Sequence, residues 1–250
     1  MPFFSSDGVR LAYDDQGTGE PVVLVHGFAS NRHVNWAMTN WFHTLDEGGY
    51  RAISFDHRGH GQSDKPHDPS AYGDATMAGD VLRLMDHCGV ARAWVMGYSL
   101  GAYISIELLR RHSDRVRGCV LGGIGEKSLS GGTAHSERIR EAMLAPTLEA
   151  VTDPLARPYR DFADRQNADR AALAACIAYQ RPAFSSADFA PIATPVLVIT
   201  GENDESMGDP APMAQIFPHG EHRVVPRRDH LNAPSDRRYK EEVLGFFKRT

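Results

Sequence analysis

The chain has 250 residues, 42% of them hydrophobic, which is enough to bury the core of one α/β unit without a second domain. Its 27 basic and 32 acidic residues give a net charge of −5, and no basic run is long enough to hold a phosphate backbone, so we expect no nucleic-acid partner. No stretch approaches the about 20 apolar residues of a membrane span, and residues 1–7 lack the features of a signal peptide. We therefore expect a soluble cytoplasmic protein with no membrane partner.

Strand and helix patterns alternate along the N-terminal half of the chain. Short buried or alternating apolar runs predict strands, and apolar residues at helical spacing predict helices. The expected strands are residues 9–14, 21–26, 51–56, 93–97 and 116–122, and the expected helices are residues 36–47, 77–87 and 102–112. This alternation predicts an α/β protein with a mostly parallel, doubly wound sheet.

The alternation breaks after residue 123. Residues 126–187 show no strand pattern, and their 8 basic and 8 acidic residues balance in charge. Short amphipathic helices separated by prolines are expected at residues 136–144, 157–166 and 169–179. The alternation then resumes with a strand at 196–200, a helix at 212–217, a strand at 222–225 and a closing helix at 236–248. We interpret the middle segment as a helical insertion into one domain.

A glycine-flanked serine stands at a predicted junction between strand and helix. Residues 97–101 read Gly-Tyr-Ser-Leu-Gly and follow an apolar run directly. A turn this sharp strains the serine backbone and brings neighbouring segments of the chain close. The positions two before and two after the serine must therefore lack a bulky side chain, and Gly97 and Gly101 meet this requirement. The turn would raise the Ser99 hydroxyl above the sheet and direct the Leu100 N–H towards a developing oxyanion. Ser99 is therefore the candidate nucleophile.

Two further motifs lie upstream of this serine. Residues 21–28 form a buried strand that runs into a His-Gly-Phe turn, and residues 53–63 form a strand followed by the loop Asp-His-Arg-Gly-His-Gly-Gln-Ser. Together with the serine motif they closely resemble the α/β-hydrolase family over nearly the whole chain, most weakly between 125 and 190. The resemblance implies an α/β-hydrolase core of residues 1–124 and 188–250, with a helical cap at 125–187 over the active site. It also implies that the N–H groups of Phe28 and Leu100 form the oxyanion hole.

A serine nucleophile needs a histidine base that is oriented by a carboxylate. Functional loops gather at the carboxyl ends of strands, so the acid is expected after strand 196–200 and the histidine after strand 222–225. The family pattern Gly-x-x-Asp falls on Asp204, and the second loop contains His230. The order Ser99, Asp204, His230 is the order of the α/β-hydrolases. Rival acids are Glu202, Glu205, Asp209 and Asp229, and rival histidines are His219 and His222.

The histidine-rich loop at residues 56–63 raises the question of a metal site. The candidate ligands would be His57, His60 and His67. The stronger interpretation is that Asp56 and Arg58 brace the turn, because no closed set of ligands is present. His26 is likewise expected to brace its loop, and Cys88, Cys119 and Cys176 are too widely spaced to suggest a disulfide framework. We therefore expect no metal. We also expect no cofactor, because the dinucleotide-binding motif G-x-G-x-x-G is absent.

The resemblance predicts a serine hydrolase that cleaves small, mostly uncharged esters through an acyl-enzyme. Serine at this position argues against haloalkane dehalogenases and epoxide hydrolases, relatives that carry aspartate there. Hydrolysis of enol-lactones or carbon–carbon bonds in aromatic degradation stays open. Such substrates carry carboxylates and would call for an arginine facing Ser99, for which the insertion offers Arg157, Arg160, Arg165 and Arg181. A slow-turnover ligand-binding or signalling protein also stays open, as does the oligomeric state.

Overall fold

One sheet organises the part of the chain that the computed structural model describes, residues 2–131 and 134–250. Its eight strands are β1 (Phe3–Ser6), β2 (Val9–Gln16), β3 (Glu20–Val25), β4 (Tyr50–Phe55), β5 (Ala93–Tyr98), β6 (Val116–Gly122), β7 (Val196–Gly201) and β8 (Gly220–Val225). Every strand expected from the sequence overlaps one of them. β1 was not predicted, because four residues are too few to show a periodic pattern.

The strands lie in the order β1-β2-β4-β3-β5-β6-β7-β8. β1 with β2 and β2 with β4 pair antiparallel, and all other neighbours pair parallel. The expected mostly parallel sheet is therefore confirmed. Because parallel strands end at the same edge, the loops after β3, β5, β7 and β8 are brought together there.

Helices cover both faces of the sheet. The described residues form α1 (Trp41–Glu47), α2 (Asp74–His87), α3 (Leu100–His112), α4 (Ala134–Leu144), α5 (Arg157–Arg165), α6 (Arg170–Ile177), α7 (Ser186–Phe189), α8 (Pro210–Gln215) and α9 (Arg237–Arg249). Val23 packs into an apolar core with α2, α3 and α8, whereas its neighbours Val22 and Leu24 pack with α1 and α9. Strands buried on both faces explain the continuous apolar runs in the sequence. None of the helices in these ranges has the length and apolarity needed to cross a bilayer.

The segment between β6 and β7 contains α4 to α7 and, within its described residues, no strand. The three helices expected there coincide closely with α4, α5 and α6, while the short α7 was not expected. α7 lies across the expected boundary at residue 187. The division into a core of 1–124 and 188–250 and an insertion of 125–187 stays a prediction.

The single helix expected at 36–47 is wrong. The chain forms a π-helical turn at His33–Ala37 and then α1, which begins only at Trp41. Asn40 separates them with φ of 63° and ψ of 29°, a left-handed conformation that asparagine adopts more readily than most residues. Trp36 and Trp41 are both buried in one apolar cluster, so the helical spacing of apolar residues continues across the break.

Candidate active site

Ser99 lies between the end of β5 and the start of α3, in the expected strained conformation. Its φ is +53° and its ψ is −112°, a region that costs a non-glycine residue about 1–3 kcal/mol. The flanking glycines are required by close approach: a Cβ on Gly97 would overlap the carbonyl oxygen of Gly101, and one on Gly101 would overlap the carbonyl oxygen of Val25. The Ser99 N–H donates to the carbonyl oxygen of Gly122 at 2.8 Å. The turn is thereby anchored to β6.

Asp204 and His230 are brought together by the loops after β7 and β8. Nδ1 of His230 lies 2.7 Å from Oδ2 of Asp204. The buried Asp204 also accepts hydrogen bonds from the Ser206 hydroxyl at 2.5 Å and the Met207 N–H at 3.3 Å. Burial acts to raise the pKa of Asp204, but its bonds to His230, Ser206 and Met207 outweigh burial and hold the pKa below its ordinary value. An ionised carboxylate can only accept, so the proton lies on Nδ1 and leaves Nε2 free to act as a base.

Three of the four rival acids, Glu202, Asp209 and Asp229, have other partners. The Glu202 carboxylate accepts the Arg227 N–H at 2.8 Å, and Asp209 caps the start of α8. Asp229 accepts the N–H groups of Leu231 and Asn232 at 2.9 and 3.0 Å, which closes the turn that carries His230. Among the rival histidines, His222 belongs to β8 and His219 precedes that strand. Asp204 is thus the carboxylate that contacts His230.

Phe28 and Leu100, the two residues expected to form the oxyanion hole, line the space beside Ser99. Leu100 is the first residue of α3, where N–H groups lack partners within the helix. Phe28 belongs to the turn after β3 and lines the same cavity as Ser99. Within the described ranges neither N–H donates to another backbone group. Both are therefore available to a ligand.

The histidine-rich loop is held by internal bonds. Nε2 of His26 accepts the His57 N–H at 3.0 Å, and His57 Nε2 lies 2.9 Å from the His26 carbonyl oxygen. Asp56 pairs with Arg32 rather than with Arg58, which instead binds Asp80 at 2.6 Å. Each of the two residues therefore braces the loop through a partner outside it.

The three histidines of the suggested metal site are not gathered together. The His57 and His60 rings are 5.8 Å apart between centroids, whereas His67 lies 3.0 Å from Asp169 at the start of α6. Across residues 2–131 and 134–250, no group of three or more histidine, cysteine or acidic side chains has the arrangement of a metal site.

Ser99 borders two neighbouring cavities, which share part of their lining. The first, here called the apolar lobe, has a volume of about 380 Å³ and includes Phe28, Tyr98, Leu155, Tyr159 and His230 in its lining. The second, the polar lobe, has a volume of about 400 Å³ and includes Leu100, Lys127, His135, Arg181 and Glu205. Residues of the helical segment between β6 and β7 line both lobes. Residues of that segment therefore lie around Ser99, where the sequence analysis expects a cap.

The sequence did not single out several residues that line these cavities. The His135 ring packs edge-on against Tyr159 at 5.6 Å between centroids. Burial, then the nearby Arg138, lower the pKa of His135, which favours its neutral form. Neither residue belongs to a recognisable motif, because an insertion presents no fixed spacing relative to the core. A histidine and a tyrosine in an amphipathic segment are ordinary at the sequence level.

Of the four arginines considered as carboxylate partners, Arg181 alone lines either lobe within the described residues. Arg157 and Arg160 donate to backbone carbonyls of the helical segment, and Arg165 pairs with Asp161. Arg181 is buried and donates to Asp74 at 2.9 Å, and its Nε has no hydrogen-bond partner among the described residues.

Comparison with known proteins agrees with this architecture. The family described as "alpha/beta hydrolase fold" matches residues 20–136. A hydrolase from Pseudomonas aeruginosa PA01 superposes with a TM-score of 0.79 and 26% identity, covering 98% of this chain and 97% of that one. The chain belongs to the α/β-hydrolase fold family. The expected α/β-hydrolase fold is thereby confirmed.

The proteins that this chain resembles differ in their activities. The enol-lactonase from Burkholderia xenovorans LB400 shares the fold, with a TM-score of 0.78 and 24% identity over 99% of this chain and all of that one (100%). "Epoxide hydrolase 3" of Siraitia grosvenorii is 30% identical over 119 residues, 46% of this chain and 36% of that protein. The chain spans 36% to 52% of the length of the first curated relatives it matches. Membership of the family alone therefore leaves the reaction open.

Proposed function

We propose that the protein is a serine hydrolase that cleaves small, mostly uncharged carboxylic esters through an acyl-enzyme. The observation that carries the proposal is the contact of 2.7 Å between Asp204 and His230, at a cavity that His230 shares with the strained Ser99. Nucleophile, base and acid are the three parts that acyl transfer by serine requires. Ser99 makes no hydrogen bond through its hydroxyl in the described residues, and such bonds often form only when substrate is bound.

In the proposed reaction, Nε2 of His230 takes the proton of Ser99 as the hydroxyl oxygen attacks the ester carbonyl. The N–H groups of Phe28 and Leu100 stabilise the negative charge on the carbonyl oxygen. The tetrahedral intermediate collapses, the carbon–oxygen bond to the alcohol breaks, and His230 gives its proton to the leaving alkoxide. His230 then deprotonates a water that hydrolyses the acyl-enzyme, and Asp204 stabilises the imidazolium in both steps.

Replacement of Ser99 by alanine tests the nucleophile. We expect Ser99→Ala to lose hydrolysis of aryl acetates and all labelling by a fluorophosphonate, because no second nucleophile is proposed. Unchanged circular dichroism and thermal unfolding should show that the variant is folded. A variant that is still labelled with one equivalent would exclude Ser99 as the nucleophile.

The size of the apolar lobe supports short acyl groups. Its volume of about 380 Å³ lies near the lower end of the range of about 300–1,000 Å³ that ligand pockets span. Each methylene that fits contributes up to about 0.8 kcal/mol, or about fourfold in kcat/KM, until the lobe is full. Across aryl acetate, butyrate, hexanoate and decanoate, kcat/KM should peak at or before hexanoate. A maximum at decanoate would contradict the proposed substrate size.

The second candidate function is hydrolysis of an enol-lactone or a carbon–carbon bond in a carboxylate-bearing substrate. The position of Arg181 in the polar lobe favours it. However, the ion pair with Asp74 balances the arginine charge, which supports neutral substrates. Cleavage confined to carboxylate-bearing lactones or diketones, with no aryl ester cleaved, would favour this second function. A single slow event per chain would instead favour a ligand-binding or signalling role.

A further inference from the structure

Tyr98 connects the candidate nucleophile to the loop that carries the candidate base. It is the last residue of β5 and directly precedes Ser99. Its buried hydroxyl donates a hydrogen bond of 2.6 Å to the backbone carbonyl oxygen of His230. The two rings also pack together, with centroids 5.4 Å apart and planes tilted by 45°. One side chain thus contacts both the backbone and the ring of His230.

His230 needs such a contact because no helix or strand holds it. It lies in the loop between β8 and α9, and the next residue, Leu231, is 73% exposed. Asp204 holds the ring at Nδ1, and Asp229 closes the turn locally. Tyr98 attaches the backbone of this loop to the central strand β5, on which the position of Ser99 depends.

The Tyr98 ring itself has little freedom to move. Gly123 has a φ of +59°, and a Cβ at this position would lie 2.8 Å from Cζ of Tyr98 and 3.0 Å from Cε1 of His230. Both rings therefore pack directly over the backbone that follows β6. The Tyr239 ring also lies nearby, with its centroid 6.4 Å from that of the Tyr98 ring. These contacts restrict the direction of the Tyr98 hydroxyl.

We propose that Tyr98 is a positioning residue that keeps the His230 ring aligned with the Ser99 hydroxyl. The inference rests on the proposed function, in which Ser99 is the nucleophile and His230 the base. A neutral hydrogen bond contributes only about 0.5–1.5 kcal/mol to stability. Displacement of a reacting group by about 1 Å, in contrast, can cost about 100-fold in rate. The Tyr98 hydroxyl should therefore matter more for the reaction rate than for folding.

The variant Tyr98→Phe tests this because it removes the hydroxyl and keeps the ring. We expect kcat for an aryl acetate to fall about 10- to 100-fold, with KM changed less than about twofold, since substrate contacts are retained. The rate of fluorophosphonate labelling should fall by a similar factor, because labelling uses the same base. Its end point should stay at one equivalent per chain. Slow but complete labelling is the signature of a displaced base in a folded protein.

Tyr239→Phe is the matched control. Tyr239 is a buried tyrosine beside Tyr98, and its hydroxyl has no hydrogen-bond partner among the described residues. This variant should keep the wild-type kcat and labelling rate. Wild-type kcat in Tyr98→Phe, an equal loss in Tyr239→Phe, or incomplete labelling at an unchanged rate would each overturn the inference. Labelling of Ser99→Ala would instead overturn the proposed function, so the two failures can be told apart.

Discussion

In the proposed mechanism, the Asp204 carboxylate acts on catalysis only through the His230 ring. Its bonds hold the pKa of Asp204 below the ordinary value, so the carboxylate is charged at neutral pH. Asp204→Asn replaces the accepting oxygen by an amide that can favour the wrong imidazole tautomer, and kcat should fall by about 10³–10⁴. Asp229→Asn is the control, because Asp229 contacts backbone N–H groups and the Asn232 side chain rather than the ring. Steady-state kinetics with an aryl acetate would check both, and a larger loss in Asp229→Asn would identify Asp229 as the acid.

Residues in sequence motifs could be predicted, whereas residues that act through contacts between distant segments could not. Ser99 has two local signals, its flanking glycines and its place between strand and helix. The ends of β7 and β8 indicate the loops that carry Asp204 and His230, and the family pattern Gly-x-x-Asp selects Asp204 among the acids of its loop. Tyr98, by contrast, is an unconstrained position of the serine motif, and its partner lies 132 residues away in the chain. Only the fold brings that pair together.

At the scale of elements, parallel strands were predicted well because burial on both faces leaves continuous apolar runs. The prediction of one helix at 36–47 was wrong because burial continues there where the helical backbone does not. Trp36 and Trp41 pack in the same core, so apolar spacing continues although the backbone breaks at Asn40. Periodicity reports which side chains are buried and does not report one left-handed residue between two helical segments.

A buried ion pair attaches the helical segment between β6 and β7 to α2. Arg181, after α6, pairs with Asp74 at the start of α2, and the side chains are 6% and 7% exposed. The arginine also lies over the Tyr103 ring at 4.8 Å. Asp74→Ala would leave a buried guanidinium unpaired and should lower the free energy of unfolding by about 3–5 kcal/mol. Urea denaturation would measure this loss.

Two further variants distinguish the cost of an unpaired buried charge from the cost of losing an ion-pair contact. The double variant Asp74→Leu with Arg181→Met buries no charge and should recover most of the stability lost in Asp74→Ala. Glu241→Ala removes an ion pair with Arg237 whose side chains are 57% and 91% exposed, so it should change the unfolding free energy by less than about 1 kcal/mol. Equal losses at Glu241 and Asp74 would refute the role of burial.

At the scale of the whole molecule, the fold places the candidate catalytic groups at one edge of the sheet. The loops after β3, β5, β7 and β8 carry Phe28, Ser99, Asp204 and His230, which lie far apart in the sequence. The parallel topology is sufficient to explain their meeting. The sequence predicted this arrangement through the expected parallel sheet, whose functional loops gather at the carboxyl ends of its strands. The shape of the two lobes, in contrast, depends on how α4 to α6 pack over that edge. Side-chain packing of an insertion leaves no periodic signal.

Three buried histidines should make the folded protein sensitive to acid. Burial lowers the pKa of His26 far below its ordinary value, that of His57 to about 3 and that of His60 to about 4. These histidines stay neutral in the folded state, whereas in the unfolded chain they take up protons below about pH 6.5. The unfolded state therefore binds more protons between about pH 6.5 and pH 4, and stability falls as the pH falls through this window.

The free energy of unfolding should fall by about 1.4 kcal/mol per buried histidine between pH 7.5 and 5.5, or by about 4 kcal/mol for the three. Urea denaturation at both pH values would measure it. His60→Gln should be less stable than wild type at pH 7.5, because it disturbs a packed core, but its further loss on going to pH 5.5 should be smaller by about 1.4 kcal/mol. His43→Gln is the control, since the side chain of His43 is 60% exposed, and it should show the wild-type dependence on pH. If His60→Gln and His43→Gln lost the same free energy between the two pH values, the buried histidines would not be the origin of the acid sensitivity.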